Sequence, residues 1–332
     1  MKRLMIFITV FFVALAMTSA VWGQTEKINF KLGHMLATDT AWHKAAVMFS
    51  DKVKEYTKGG VEVVVYPSQQ LGDERTLVES LFTGAIDLMI LGSFSVGGVP
   101  EVMVGELPYL YKSYAHISKA MPEVVIPYTN SRTIPKGARA LDGVYAYTAY
   151  RGVLSKNKPI NTLADMKGIK IRVPQNPMLM NTFKAMGANP TVVNYGELYT
   201  ALQTGVVEAC ELTPELLVGA KLHETSKYFS FTNHIAYPLY FGINEKSWQK
   251  SGKYQPDLVR AAAEAMDLWR SQNEDNDNKY IQVMKDSGVK VTDPGDAERQ
   301  KFREAAQVGY WNEFFVKFPD TKPVADKVLA VQ

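Results

Sequence analysis

The sequence predicts an α/β protein made of two α/β units, and three features predict it. Strand-like and helix-like runs alternate from residue 27 to residue 91. The same alternation returns from residue 169 to residue 210. After Pro256 a polar, amphipathic run of about thirty residues reads as one helix of ~45 Å, longer than an ordinary domain helix and able to lie across two domains. The length of 332 residues also suits about two domains.

Each element has a local reason. Residues 27–32 alternate, with Ile28, Phe30 and Leu32 on one face, and Gly33 ends the strand. Thr38, Asp39 and Thr40 are helix-capping types. Ala45, Phe49, Val53 and Tyr56 then recur at helical spacing over 41–56, before Gly59 and Gly60. Residues 61–66 are β-branched and read as a strand. Asp73 caps a second helix that Gly84 ends. Residues 85–91 are almost wholly apolar, as a strand buried on both faces should be. The second unit reads as strand 169–173, helix 177–186, strand 191–193, helix 197–204 and strand 206–210. Such alternation implies largely parallel sheets. Residues 144–155, between the units, read as a crossing from one domain to the other, and the apolar run 234–243 could carry the chain back. Within the long helix, 257–286, Leu258, Ala262, Ala265, Leu268 and Trp269 mark the inner stripe.

Lys2 and Arg3 precede an uncharged stretch from Leu4 to Ala20, which reads as a secretory signal ending near Gly23 or Ala20. The alternative is an uncleaved membrane anchor, because the run is just long enough to span a bilayer. A net charge of +3 leaves no electrostatic footprint for nucleic acid. The single cysteine, Cys210, excludes an intrachain disulfide, and in its apolar strand it is most simply a small buried hydrophobe. Compact catalytic signatures are absent: no zinc helix of the H-E-x-x-H type, no phosphate loop, no dinucleotide fingerprint and no serine elbow. His34 and His43 make only a weak metal pair across a loop. We therefore expect no catalytic residue, no metal and no cofactor.

Arg172 is the most informative charge. In the 169–173 strand the apolar residues share one face, and Arg172 falls on the other, near the carboxyl end. Ligands of open α/β sheets sit outside those ends. A guanidinium there can grip a carboxylate through two parallel hydrogen bonds, or it can be an ordinary surface arginine. Arg151, in the proposed crossing, is either a second site cation or a rim charge; Gly152 beside it permits close approach. Glu74 either faces a cleft or favours its helix dipole. Trp42, Phe94, Tyr150 and Tyr195 flank the same strand ends, as cleft walls or as core.

These residues, in this order, resemble the extracytoplasmic solute-binding proteins of tripartite ATP-independent periplasmic (TRAP) transporters, the DctP-type family. The resemblance runs from about residue 28 to about residue 318. It is carried by Tyr-Pro-Ser-Gln-Gln-Leu-Gly-Asp-Glu-Arg at 66–75, Gly-Ala-Ile-Asp at 84–87 and Leu-Pro-Tyr at 107–109. Further carriers are 164–174, 197–208 and Thr-Asn-His at 232–234. It implies a two-lobed periplasmic-binding-protein fold, type II-like, with a hinge and a long helix spanning both lobes. Lobe 1 would take residues 24–149 with about 238–275. Lobe 2 would take 150–237 with about 276–318, leaving 319–332 as a C-terminal tail. The resemblance implies that Arg172 makes the main salt bridge to a substrate carboxylate, with Arg151 assisting. It places Tyr195 at an aromatic wall and Glu74 at an acidic position in the opposite lobe. Leu212 stands where a polar or aromatic ligand-facing residue is frequent, and Met35 where sialic-acid binders carry Asn, so a smaller or more apolar organic acid fits better than sialic acid.

The expectation is a periplasmic, monomeric binding protein that captures a small carboxylate and delivers it to membrane permease subunits. Met35, Trp42, Phe94, Tyr195 and Leu212 point to an aromatic or branched monocarboxylate or a 2-oxo acid. The alternatives are an exported enzyme working on an organic acid in the same cleft, and a ligand-sensing partner of a membrane receptor.

Overall fold

The computed structural model describes residues 27–332; the proposed signal or anchor, with its cleavage sites, lies outside the described residues. Eleven strands are defined among those residues: β1 Ile28–Gly33, β2 Val61–Tyr66, β3 Leu88–Leu91, β4 Ala138–Tyr150, β5 Gly152–Ser155, β6 Lys170–Val173, β7 Asn189–Val192, β8 Ala209–Leu212, β9 Tyr228–Ser230, β10 Ala236–Asn244 and β11 Lys290–Thr292. They form two sheets, one in the order β2-β1-β3-β10-β4 and one in the order β11-β9-β5-β8-β6-β7.

Neither sheet is as parallel as the alternation implied. β1 pairs in parallel with β2 and β3, but β10 runs antiparallel to both β3 and β4. β6 is parallel to β7 and β8, whereas β5 is antiparallel to β8 and β9. Every antiparallel pairing involves β5 or β10, the strands that follow the two crossings.

The first crossing is a single residue. β4 ends at Tyr150 in the first sheet, β5 begins at Gly152 in the second, and Arg151 lies between them. The return runs through residues 231–235 from β9 to β10. The two crossings touch: the Arg151 amide donates to the Ile235 carbonyl at 2.8 Å. Gly152 is glycine for a packing reason, since a Cβ there would sit 2.4 Å from the Phe229 ring and 2.7 Å from the Ser230 carbonyl oxygen. Its close neighbour is this backbone and ring.

Local chemistry explains the first unit. The helix Ala41–Tyr56 is capped by Thr40, whose side chain accepts from the His43 amide. The helix Glu74–Thr83 is capped by Asp73 through the Thr76 amide, and Gly84 closes it in the left-handed region at φ 83°. Leu77, Val78 and Leu81 turn inward from that helix.

The long helix spans Gln255–Asp286, 32 residues or ~48 Å, with Pro256 tolerated in its first turn. Its first half buries Leu258, Ala262, Ala265 and Trp269 against Phe30, Phe49 and Phe241 of the first unit. Its last turns bring Met284 into the core around Leu154, Cys210 and Phe229 of the second. The helix therefore spans both sheets. Leu268 is not part of its inner stripe: it is 38% exposed, and Met266 and Ala261 are buried instead. Residues 258, 262, 265 and 269 share one face at 3.6 residues per turn, and 268 falls ~100° away from it.

Two further expectations change. The strand placed at 206–210 is β8, Ala209–Leu212. Gly205 turns the chain at φ 81° and leaves Val206 57% exposed, and the pairing of Ala209 with Ile171 and Cys210 with Arg172 then sets the register. That shift puts Glu211 and Leu212 inside the strand. Residues 319–332 are also not a tail. They carry the helix Lys322–Ala330, with Pro323 in its first turn and Ala325 and Val328 buried. The His116 ring donates from Nε2 to the Val328 carbonyl at 2.8 Å, and Lys112 Nζ reaches the Leu329 carbonyl at 3.0 Å.

Candidate ligand cleft

Strand ends from both sheets and the first crossing meet around one cavity of about 140 Å³. Met35, Trp42, Glu74, Arg151, Arg172, Tyr195 and Leu212 all line it. Phe94 does not. Its ring is buried between Phe82 and Tyr240 at centroid distances of 6.0 and 5.4 Å, and its neighbours Ser93 and Val96 line the cavity instead. Tyr150 also points elsewhere, packing on Tyr114.

Arg172 is 3% exposed. Its Nε donates to the Val193 carbonyl at 2.8 Å, and no ion pair to it is found among the described residues. Burial lowers its pKa, and Glu211 opposes the shift. A buried guanidinium with only one neutral acceptor is short of the anion that would offset its desolvation.

Arg151 is also buried, yet it is satisfied within the protein. Its Nε donates to Glu211 Oε2 at 2.5 Å, and its Nη2 donates to Glu211 Oε1 at 2.7 Å and to the Glu211 carbonyl at 2.8 Å. The guanidinium also sits 5.2 Å from the centre of the Tyr237 ring. His234 contacts Glu211 Oε2 from Nε2 at 3.1 Å and Thr232 Oγ1 from Nδ1 at 2.9 Å. Burial alone would raise the Glu211 pKa. The Arg151 charge and the hydrogen bonds from His234 and Arg151 outweigh it and hold the pKa at about 2. Burial lowers the His234 pKa below its usual value. Arg151 thus anchors the crossing to β8 rather than standing as a free cation.

Glu74 faces these arginines from the first turn of its helix, half-buried. Its burial in the cleft raises its pKa, with Arg151 and Arg172 opposing. Trp42 packs edge-on against Trp269 at 5.1 Å, and its buried indole Nε1 has no acceptor among the described residues. Tyr195 donates from Oη to the Leu216 carbonyl at 2.8 Å, which fixes its ring as a wall. His34 is buried with Nε2 3.0 Å from His43 Nδ1, and it accepts from the Leu36 amide. No group of His, Cys, Asp or Glu among the described residues is arranged to hold a metal.

Sequence reasoning missed several cavity residues. Asn176 caps the helix Pro177–Ala185 and donates to Tyr237 Oη at 3.2 Å. An Asn directly before a helix-starting Pro was the available signal. Gln69 reaches the cavity from a left-handed backbone at φ 62°, which nothing in its residue type announces. Glu215, outside the cavity lining, was also missed. Its Oε1 accepts from the Ala41 amide at 3.0 Å, so a side chain following β8 caps a helix packed on the first sheet.

The chain matches the model of the family described as bacterial extracellular solute-binding protein, family 7, over residues 32–317. It is 32% identical over 307 residues to the 2,3-diketo-L-gulonate-binding periplasmic protein YiaO of Escherichia coli, covering 91% of each chain. It is 30% identical to the C4-dicarboxylate-binding periplasmic protein DctP of Rhodobacter capsulatus, covering 83% of each. Among solved structures it superposes on a TRAP periplasmic solute-binding protein from a Polaromonas species, bound to D-erythronate, with a TM-score of 0.85 and 26% identity, over 92% of this chain and 99% of the other.

Proposed function

This chain belongs to the bacterial extracellular solute-binding proteins of family 7 and is a TRAP solute-binding protein; on that premise we propose that it captures a small organic acid by its carboxylate on Arg172. One observation carries the reading: Arg172 is buried, faces the cavity and forms no ion pair among the described residues. A ligand carboxylate supplies the missing charge and two parallel hydrogen bonds. The relatives' solutes, a diketogulonate, a C4-dicarboxylate and an erythronate, are all organic acids.

The two sheets are the cores of two lobes, and residues 151 and 231–235 are the hinge. Glu74, Trp42 and Met35 come from the first lobe, and Arg172, Tyr195 and Leu212 from the second. Only a closed cleft lets one ligand touch both groups, so the ligand shifts the hinge equilibrium toward closure. The protein works as a monomer in the periplasm and hands its ligand unchanged to the membrane permease.

A thermal-shift screen over organic acids tests this, because a ligand of the folded state raises apparent stability by mass action. One or more carboxylates should raise the melting temperature, and the acid should be recovered intact. A rise with neutral sugars or cations alone would overturn the reading.

A further inference from the structure

The charges around the cavity do more than provide one carboxylate site. Three cations line it: Arg75, Arg151 and Arg172. Arg75 pairs with Glu79 at 2.8 Å on the exposed side of its helix. Arg151 is held by Glu211 through both carboxylate oxygens, and that pair is already neutral. Asp73 is committed to the Thr76 amide at 2.9 Å as a helix cap. What remains is one uncompensated cation, Arg172, and one carboxyl group, Glu74, facing the same small space.

From this arrangement we infer that the cavity takes monocarboxylates whose other oxygens are uncharged, and rejects dicarboxylates, with Glu74 as the residue that sets the preference. The inference rests on the organic-acid reading above and goes on to fix the charge of the acid. Once the first carboxylate occupies Arg172, a second has no free cation to meet. It would face Glu74, the neutral Arg151–Glu211 pair, or the apolar wall of Trp42, Leu212 and Leu239. Each of those placements desolvates a charge without pairing it. A hydroxyl or ketone has partners in the same places. Glu74 accepts a hydrogen bond from a hydroxyl, and Gln69 and Asn176 serve as neutral polar contacts. Burial raises the Glu74 pKa, with Arg151 and Arg172 opposing, and its ionised form adds repulsion toward a second anion.

The test compares acids that differ only in one terminal group. Titration calorimetry at neutral pH would set 2-hydroxy-4-methylpentanoate against malate, and D-erythronate against tartrate. In each pair with a member that binds, the monocarboxylate should bind ~10-fold or more tightly than its dicarboxylate. Glu74→Gln keeps the shape and removes the charge, and should narrow that ratio by roughly fivefold or more, chiefly by improving dicarboxylate binding. If Glu74 served only its helix dipole, the substitution would leave the ratio unchanged, and that result overturns its role. A wild-type protein that binds either dicarboxylate as tightly as its partner overturns the selectivity itself. If none of the four acids binds while another class of solute does, the organic-acid reading falls, and this inference with it.

Discussion

Arg151 and Glu211, 60 residues apart in sequence, form a two-pronged ion pair that ties the crossing between the two sheets to the end of β8. Both residues are buried, and His234 joins them from the return crossing. The pair therefore holds the crossing and the cavity wall together.

Removing one member of that pair should be costly. Glu211→Gln leaves a buried guanidinium without its charge partner and is expected to lose about 3–5 kcal/mol in chemical denaturation. The pH dependence has a definite sign. The Glu211 pKa is about 2 in the folded chain and 4.5 as its ordinary value, so its contribution is complete above pH 4.5. It is lost as the pH falls from 4.5 toward 2, and the Gln variant should lack that part of the acid slope. An unchanged slope would show that Glu211 is not the titrating group.

His34 should govern a different window. Burial, then the neighbouring His43, lowers its pKa to about 4 from 6.5. The neutral ring is favoured in the fold, so its contribution is complete above pH 6.5 and is lost on acidification toward pH 4. His34→Asn keeps an acceptor for the Leu36 amide and should flatten stability between those pH values. Thermal melts across pH 4–7 would show it, and parallel curves for both proteins would contradict it.

Gly152→Ala should be destabilising although Ala normally favours a strand over Gly. The added methyl meets Phe229 and the fixed Ser230 carbonyl, and only the ring can move. Overpacking of this kind costs about 1–3 kcal/mol. Urea denaturation should show a lower midpoint with an unchanged slope. Equal or greater stability would mean that the crossing is looser than described.

Glu215 bridges the two units by capping the Ala41–Tyr56 helix. In the proposed closure its carboxylate meets an amide and a helix N-terminus, a favourable contact that opening would give up. Glu215→Gln should speed ligand dissociation by roughly fivefold, equivalent to about 1 kcal/mol, with little change in association. Stopped-flow displacement measures this directly, and an unchanged dissociation rate would remove Glu215 from the closure mechanism.

Much of this arrangement was legible in the sequence because local rules and tertiary packing agree there. Thr40, Asp73 and Gly84 mark helix ends by their own chemistry, and the alternation of Ile28, Phe30 and Leu32 fixes a strand face. Arg172 stood out because it breaks an apolar strand near its carboxyl end. The misses arose where sequence and space diverge. Phe94 flanks the cleft along the chain, yet its ring packs behind it. Arg151 could be placed at the crossing, but its partner Glu211 lies in a strand whose register is set by pairing with β6. The Lys322–Ala330 helix was hidden by two prolines that begin helical segments rather than break them.

Arg172 is the cation that should hold the ligand carboxylate. Calorimetry of the strongest acid from the screen, against wild type, Arg172→Lys and Arg172→Ala, tests it most directly. Lys keeps a positive charge but loses the two-pronged geometry, so it should bind at least ~10-fold more weakly, and Ala should show no measurable binding while remaining folded. Wild-type affinity in folded Arg172→Ala would contradict the account.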